Sequence, residues 1–282
     1  MEERPFKFHF PPDIKLNRNP LLEAWLEIRW QLVSGDVANF MRDPGFPFAL
    51  GAFYHSIKNE FGYREDLDAS RIPEEMFPHV VRHRFRPGEN EWPLLQLGPG
   101  VATVNFTDPY NWDDFLNRAL YLREKLVDAY SDMELKTQMV NLRYRNGVSF
   151  EYSSVNLLNF LKQNLNTSIM FPDHVPGAVS SVTWPTSINV VSTFDLSKPK
   201  GLGRLRFNTG VRTQRDSETN QETKEEMIIW ELNVESKENN APDINEKDKF
   251  TTWLTSAHSV IHEWFFSLID GPLYRKYKGE VE

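Results

Sequence analysis

The sequence predicts an α+β fold, with duplicated β-α-β-β-β-α halves forming an antiparallel sheet covered by two long helices. Three observations carry this prediction. Ala24, Leu26, Ile28, Trp30 and Leu32 alternate with Glu23, Trp25, Glu27, Arg29 and Gln31, the period of a half-buried strand. Pro87-Gly88 and Gly98-Pro99-Gly100 punctuate short apolar runs, as the turns of an antiparallel meander would. Two later stretches share an apolar stripe at helical spacing. From Trp112 it falls on Phe115, Leu116, Ala119, Leu126, Val127 and Tyr130; from Phe250, the same offsets give Trp253, Leu254, Ala257, Trp264, Phe265 and Leu268.

In the first half, a strand from Leu22 to Val33 precedes a loop at Asp43-Pro44-Gly45. A short helix from about Leu50 to Phe61 stops at Gly62. Strands follow at Val80 to Arg86, Trp92 to Leu97 and Val101 to Phe106. A helix from Trp112 to Tyr130 closes the half, with Asn111 as N-cap and Asp113 and Asp114 at the positive end of its dipole.

The second half repeats this order. A strand from Leu135 to Phe150 precedes a helix from Val155 to Leu165. Strands follow at Val179 to Leu196 (broken near Pro185), Gly203 to Val211 and Met227 to Glu235. A helix from Phe250 to Ile269 ends at Asp270-Gly271-Pro272. The opening strands also match locally, Ile28-Arg29-Trp30 against Leu142-Arg143-Tyr144. The expected halves are residues 1–132 and 133–282, joined as one compact pseudo-twofold unit that covers sheet edges each half alone would expose.

Composition bounds the chemistry. The chain has 282 residues, net charge −8 and no cysteine, which excludes a disulfide framework, thiolate metal sites and cysteine nucleophiles. The apolar window Phe46 to Tyr54 is far short of the ~20 residues that span a bilayer. Met1-Glu2-Glu3-Arg4-Pro5 lacks the basic and apolar regions of a secretory signal, so the expected location is the cytoplasm, with no membrane contact. The acidic balance opposes a general nucleic-acid coat. Much of the acidic excess sits in Gln214 to Glu226 and Glu235 to Lys249, which lack apolar periodicity and read as solvated loops.

Leu142-Arg143-Tyr144-Arg145-Asn146 resembles an LRY-x-N strand motif. Trp92-Pro-Leu-Leu-Gln-Leu-Gly-Pro-Gly-Val, followed by Asn105 and Tyr110-Asn111-Trp112, resembles the LGPG hairpin that accompanies it. Together with the Pro20-Leu-Leu-Glu23 strand and the aromatic-rich last helix, these motifs resemble a sporadically distributed prokaryotic protein family with no accepted activity. The resemblance covers nearly the whole chain and transfers no site residue. It implies a prokaryotic source and an accessory or mobile-element context; the expected setting is an accessory system of defence or toxin–antitoxin type.

Motifs for catalysis are weak. His258 and His262 stand four apart on the last helix, but Ser259, Val260 and Ile261 lie between them, with no glutamate there to act as a base. Surface or rim histidines are the better reading, and no metal is expected. His79 and His83 on a strand would sit some 13 Å apart, too far to chelate. Gly98-Pro99-Gly100 and Gly201-Leu202-Gly203 carry neither a Walker lysine nor the dinucleotide fingerprint, and no Gly-x-Ser-x-Gly elbow occurs. No cofactor is expected.

The most suggestive pattern is cationic. Arg82, Arg84 and Arg86 alternate along one strand, Arg143 with Arg145 along another, and Arg204 with Arg206 along a third, with Arg212 just beyond. Residues two apart share a face, so seven guanidiniums can line one surface if these strands neighbour one another. Such a surface suits phosphate or carboxylate groups. The ordinary alternative is a wet sheet face whose arginines pair across strands with Glu27, Glu231 or Glu235. The expected function is a non-catalytic binding or adaptor protein, with this face holding an acidic protein, a nucleotide or nucleic acid. A protein partner or a second copy is favoured, and nucleic acid is not. Two rivals remain. One is an enzyme site assembled from scattered Asp, Glu, His and Arg. The other is a small-molecule or lipid pocket lined by Trp25, Trp30, Trp92, Trp184, Trp230, Trp253 and Trp264. Trp25 points away from the Ile28 face and marks a contact surface.

Overall fold

A computed structural model describes residues 9–280 except 12–13, 36–40, 74–75, 132, 153, 173–184 and 216–221. The first part of the chain forms β1 (Leu21–Trp30), the short pair β2 (Val33–Ser34) and β3 (Met41–Arg42), and α1 (Phe46–Ile57). It continues through β4 (Tyr63–Asp66), β5 (His83–Arg86), β6 (Leu94–Gly98), β7 (Val101–Phe106) and α2 (Trp112–Ala129). The second part forms β8 (Thr137–Ser149), α3 (Leu157–Asn164), β9 (Asn189–Ser197), β10 (Lys200–Arg215) and β11 (Glu222–Lys237), then α4 (Lys247–Ile269) and α5 (Pro272–Lys278).

Nine of the strands make one antiparallel sheet in the order β4-β5-β6-β7-β1-β8-β11-β10-β9. The fold is therefore α+β. Outward from the central β1–β8 pair, one wing reads β7, β6, β5, β4 and the other β11, β10, β9. In each wing three sequential strands form a meander whose last member pairs with the wing's opening strand.

Side-chain alternation divides the sheet into two chemically different faces. Ala24, Leu26 and Ile28 of β1 stand opposite Tyr144, Leu142 and Val140 of β8, and all six are buried. Val104 and Ala102 of β7 and Leu232 and Val234 of β11 continue this apolar face. The core lies here. Phe115 of α2 and His258 of α4 both meet the Tyr144 ring, with centroids 6.2 and 6.1 Å away. At the start of α2, the Asn111 side chain accepts from the Asp114 amide, the cap its sequence position predicts.

Several boundaries differ from the sequence reading. The stretch Gln214 to Glu226 is not simply a solvated loop: β10 runs to Arg215 and β11 begins at Glu222, with residues 216–221 outside the described ones. Arg212 stands opposite Glu225 there, so cross-strand charge pairing extends a hairpin that apolar periodicity does not reveal. The helix expected at Leu50 starts at Phe46, where Asp43 accepts from the amides of Gly45 and Phe46 and Pro47 occupies the first turn. α4 starts at Lys247, earlier than Phe250. β4 and α5 were not expected at all. Much of the strand expected from Val179, including Trp184, lies outside the described residues; β9 begins at Asn189.

No helix among the described residues is long and apolar enough to cross a membrane.

Candidate functional site

The second sheet face is built from the polar members of each alternating strand, and the register sets them in rows. One row runs Arg84, Gln96, Thr103, Glu27, Asn141, Glu235 and Leu202 from β5 to β10. The next runs Leu94, Asn105, Trp25, Arg143, Asn233 and Arg204. A third holds Glu23, Arg145, Glu231 and Arg206. The expected arginines on β5, β8 and β10 therefore do share one face, separated by the strands of the central sheet.

Their environments differ. Arg82 and Arg86 are buried at the wing. Arg82 donates to the Ile72 carbonyl, while Arg86 donates to the Glu91 carbonyl at 3.0 Å and lies 3.3 Å from Glu65. These two brace the loops around β5 and do not reach the open surface. Arg84 pairs with Glu65 at 3.1 Å. Arg204 donates to Glu235 at 3.1 Å and lies 3.4 Å from the Asn233 carbonyl oxygen. Burial pushes the Glu235 carboxyl up, but hydrogen bonds from Lys237 and Arg204 outweigh it and hold the group below its ordinary value. Arg206 donates to Asn189 at 3.1 Å.

Arg143 and Arg145, side by side on the central strand β8, are held differently. They share one carboxylate, Glu231, at 3.9 and 3.7 Å, and the Nε–H of each is buried without a hydrogen-bond acceptor. Their side chains are 34% and 41% exposed. The Arg143 guanidinium lies over the Trp25 ring, 4.6 Å from its centroid. Trp25 thus does sit on the face opposite Ile28, underneath a cation.

Polar side chains support this centre from both wings. Thr103 lies within hydrogen-bonding distance of Gln96 and Asn105, and Asn105 donates to Glu23 at 2.7 Å. On the other side, Asn233 donates to Asn141. The sequence reading missed this amide layer. Its signal was present, because Gln96, Thr103 and Asn105 interrupt otherwise apolar strands with period two.

Carboxylates are interleaved throughout. Glu23, Glu27, Glu65, Glu231 and Glu235 occupy the same rows as the arginines, and Glu27 holds Arg29. The face is a mosaic of charge rather than a uniform positive surface.

The histidines expected at a surface or rim lie at the joint of α2 and α4. His258 stacks on Trp112 with centroids 3.7 Å apart, and its Nδ1 is 3.2 Å from the Tyr144 hydroxyl. His262 lies 6.0 Å from it, ring to ring, and 4.7 Å from the Phe266 ring, tilted by 52°. His79 falls outside β5, at φ 57°, while His83 binds Asp66 at 2.7 Å.

Comparison of the chain with protein-family models, curated proteins and solved structures finds no match.

Proposed function

We propose that the chain is a non-catalytic binding or adaptor protein that takes an acidic protein segment on its polar sheet face, at the half-exposed arginines. The observation that carries this reading is the under-coordinated Arg143–Arg145 pair. Two half-exposed guanidiniums share one carboxylate that lies beyond hydrogen-bonding distance, so a carboxylate arriving from solvent gains charge-assisted hydrogen bonds to their solvent-facing N–H groups. Trp25 holds the Arg143 guanidinium from below, which lowers the ordering cost of binding. A nucleic-acid backbone suits the face less well, because Glu23, Glu27 and Glu231 would oppose an unbroken row of phosphates. A protein segment can match the mosaic residue by residue.

The proposal extends to origin and setting. The matching strand order of the two wings, and the equivalent buried Ala119 and Ala257, support two copies of one β-α-β-β-β-α unit whose closing helices form one layer over the sheet. The resemblance carried by the LRY-x-N and LGPG motifs supports a prokaryotic accessory or mobile-element system.

The test is a titration with a synthetic Glu/Asp-rich peptide, followed by Trp fluorescence. Replacing Arg143 and Arg145 together by alanine should weaken binding by about tenfold or more, equivalent to ~1.4 kcal/mol, and flatten its salt dependence. The melting temperature should move little, because ion pairs of 3.9 and 3.7 Å are longer than hydrogen bonds and contribute only about 0–1 kcal/mol. Unchanged peptide affinity in the double variant, or preferential binding of a single-stranded oligonucleotide, would overturn the reading.

A further inference from the structure

The two edges of the sheet are finished differently. The outer strand of one wing, β4, has four residues, Tyr63-Arg64-Glu65-Asp66, three of them charged. Shortness and charge are the usual protections against edge-to-edge pairing. The outer strand of the other wing, β9, has nine residues, Asn189-Val-Val-Ser-Thr-Phe-Asp-Leu-Ser197, with a single charge at Asp195 and no proline. Val191 is 54% and Phe194 45% exposed, one on each face of the strand. Phe194 also makes an apolar ledge with Trp264 of α4, ring centroids 5.3 Å apart. Among the described residues nothing pairs with the outer side of β9.

We propose that this edge pairs with β9 of a second copy of the chain, making a twofold dimer with a sheet continuous across the interface. The inference is independent of the acidic-segment reading, which uses the sheet face. Backbone direction sets the register. The Thr209 amide donates to the Ile188 carbonyl, so Ile188 faces β10, and alternation turns the N–H and C=O groups of Asn189, Val191, Thr193 and Asp195 outward. An antiparallel twofold through Ser192 then brings like polarity together. Val190 meets Phe194, Val191 meets Thr193, Asn189 meets Asp195, and Ser192 meets itself. Apolar and β-branched side chains pair, Asn can donate to Asp, and no like charges stand opposite each other. The two Asp195 carboxylates lie at opposite ends, about 20 Å apart at ~3.3 Å per residue. This self-complementarity selects a second copy over a charged peptide.

Light scattering on the size-exclusion peak should give twice the 33.0 kDa of one chain at micromolar concentration. Ser192 is exposed, so Ser192→Glu is tolerated by a lone chain but sets two carboxylates against each other on the twofold, and should return the mass to that of one chain. A native chain already at that mass would overturn the proposal, as would a dimer that survives Ser192→Glu with its fold intact. Because the chain has no cysteine, Ser192→Cys supplies an independent reading. Under a mild oxidant it should form a covalent dimer at least tenfold faster than Phe48→Cys, whose site is 82% exposed but far along the chain from β9. Equal rates for the two variants would also overturn the proposal.

Discussion

Asp43 ties four parts of the molecule to one buried carboxylate. Its Oδ2 accepts from the Trp30 indole at 2.9 Å, the Tyr130 hydroxyl at 2.8 Å and the Gly100 amide at 3.1 Å. Its Oδ1 accepts from the Gly45 and Phe46 amides at 3.1 and 3.2 Å. These donors come from β1, the end of α2, the β6–β7 turn and the start of α1. Gly100 reaches it at φ 73°, and a side chain there would collide with His79 and Leu32. Truncating Asp43 leaves the Trp30 indole donor buried without this acceptor, at about 1–3 kcal/mol, and also removes the bonds to the Tyr130 hydroxyl and three backbone amides. Asp43→Ala should therefore lower unfolding free energy by about 3 kcal/mol or more in a urea titration. Asp43→Asn, which keeps one carbonyl oxygen, should cost less. A loss under about 1 kcal/mol for the alanine variant would mean that water replaces the carboxylate.

The joint between α2 and α4 turns on a single imidazole. Burial, with a smaller push from His262, brings the His258 pKa down from 6.5 to about 3. The unfolded chain therefore binds a proton between those values that the folded chain does not. Stability contributed by neutral His258 is complete above about pH 6.5 and is lost as pH falls toward 3, at up to ~1.4 kcal/mol per pH unit. Burial lowers His262 and His83 as well, so they act in the same direction. The melting temperature should fall from pH 6.5 to pH 4, and His258→Gln should make that fall shallower; an identical slope would place the acid sensitivity elsewhere. The sequence marked both helices through their apolar stripes, because burial of one helical face writes itself at 3.6-residue spacing. It could not mark the stacked Trp112–His258 contact, because residues 146 positions apart meet only through tertiary packing. The same limit hid β4, a strand of charged residues formed only by pairing with β5. The arginine spacing was legible because side-chain direction alternates within any strand. How each arginine is paired was not, since that depends on which strands are neighbours.

Across the whole molecule, the sheet is held at its centre by strands from different halves of the chain. β1 and β8 pair from Leu21 to Trp30, and this seam buries Ala24, Leu26, Ile28, Val140 and Leu142 completely. It also forms the centre of the polar face, because Trp25 of one half carries Arg143 of the other. Separation would expose the apolar inner strand of each wing as a new edge, in addition to the outer edge it already has. About 25 cal/mol per Å² of apolar surface would be lost along the seam, together with its ladder of hydrogen bonds. Residues 1–132 and 133–282 expressed separately should each bind a hydrophobic dye and lack a cooperative melt. Mixed, they should co-purify and recover the melting transition of the intact chain. If either fragment alone unfolds cooperatively at the temperature of the full chain, the halves are independent domains and the central pair is only a docking contact.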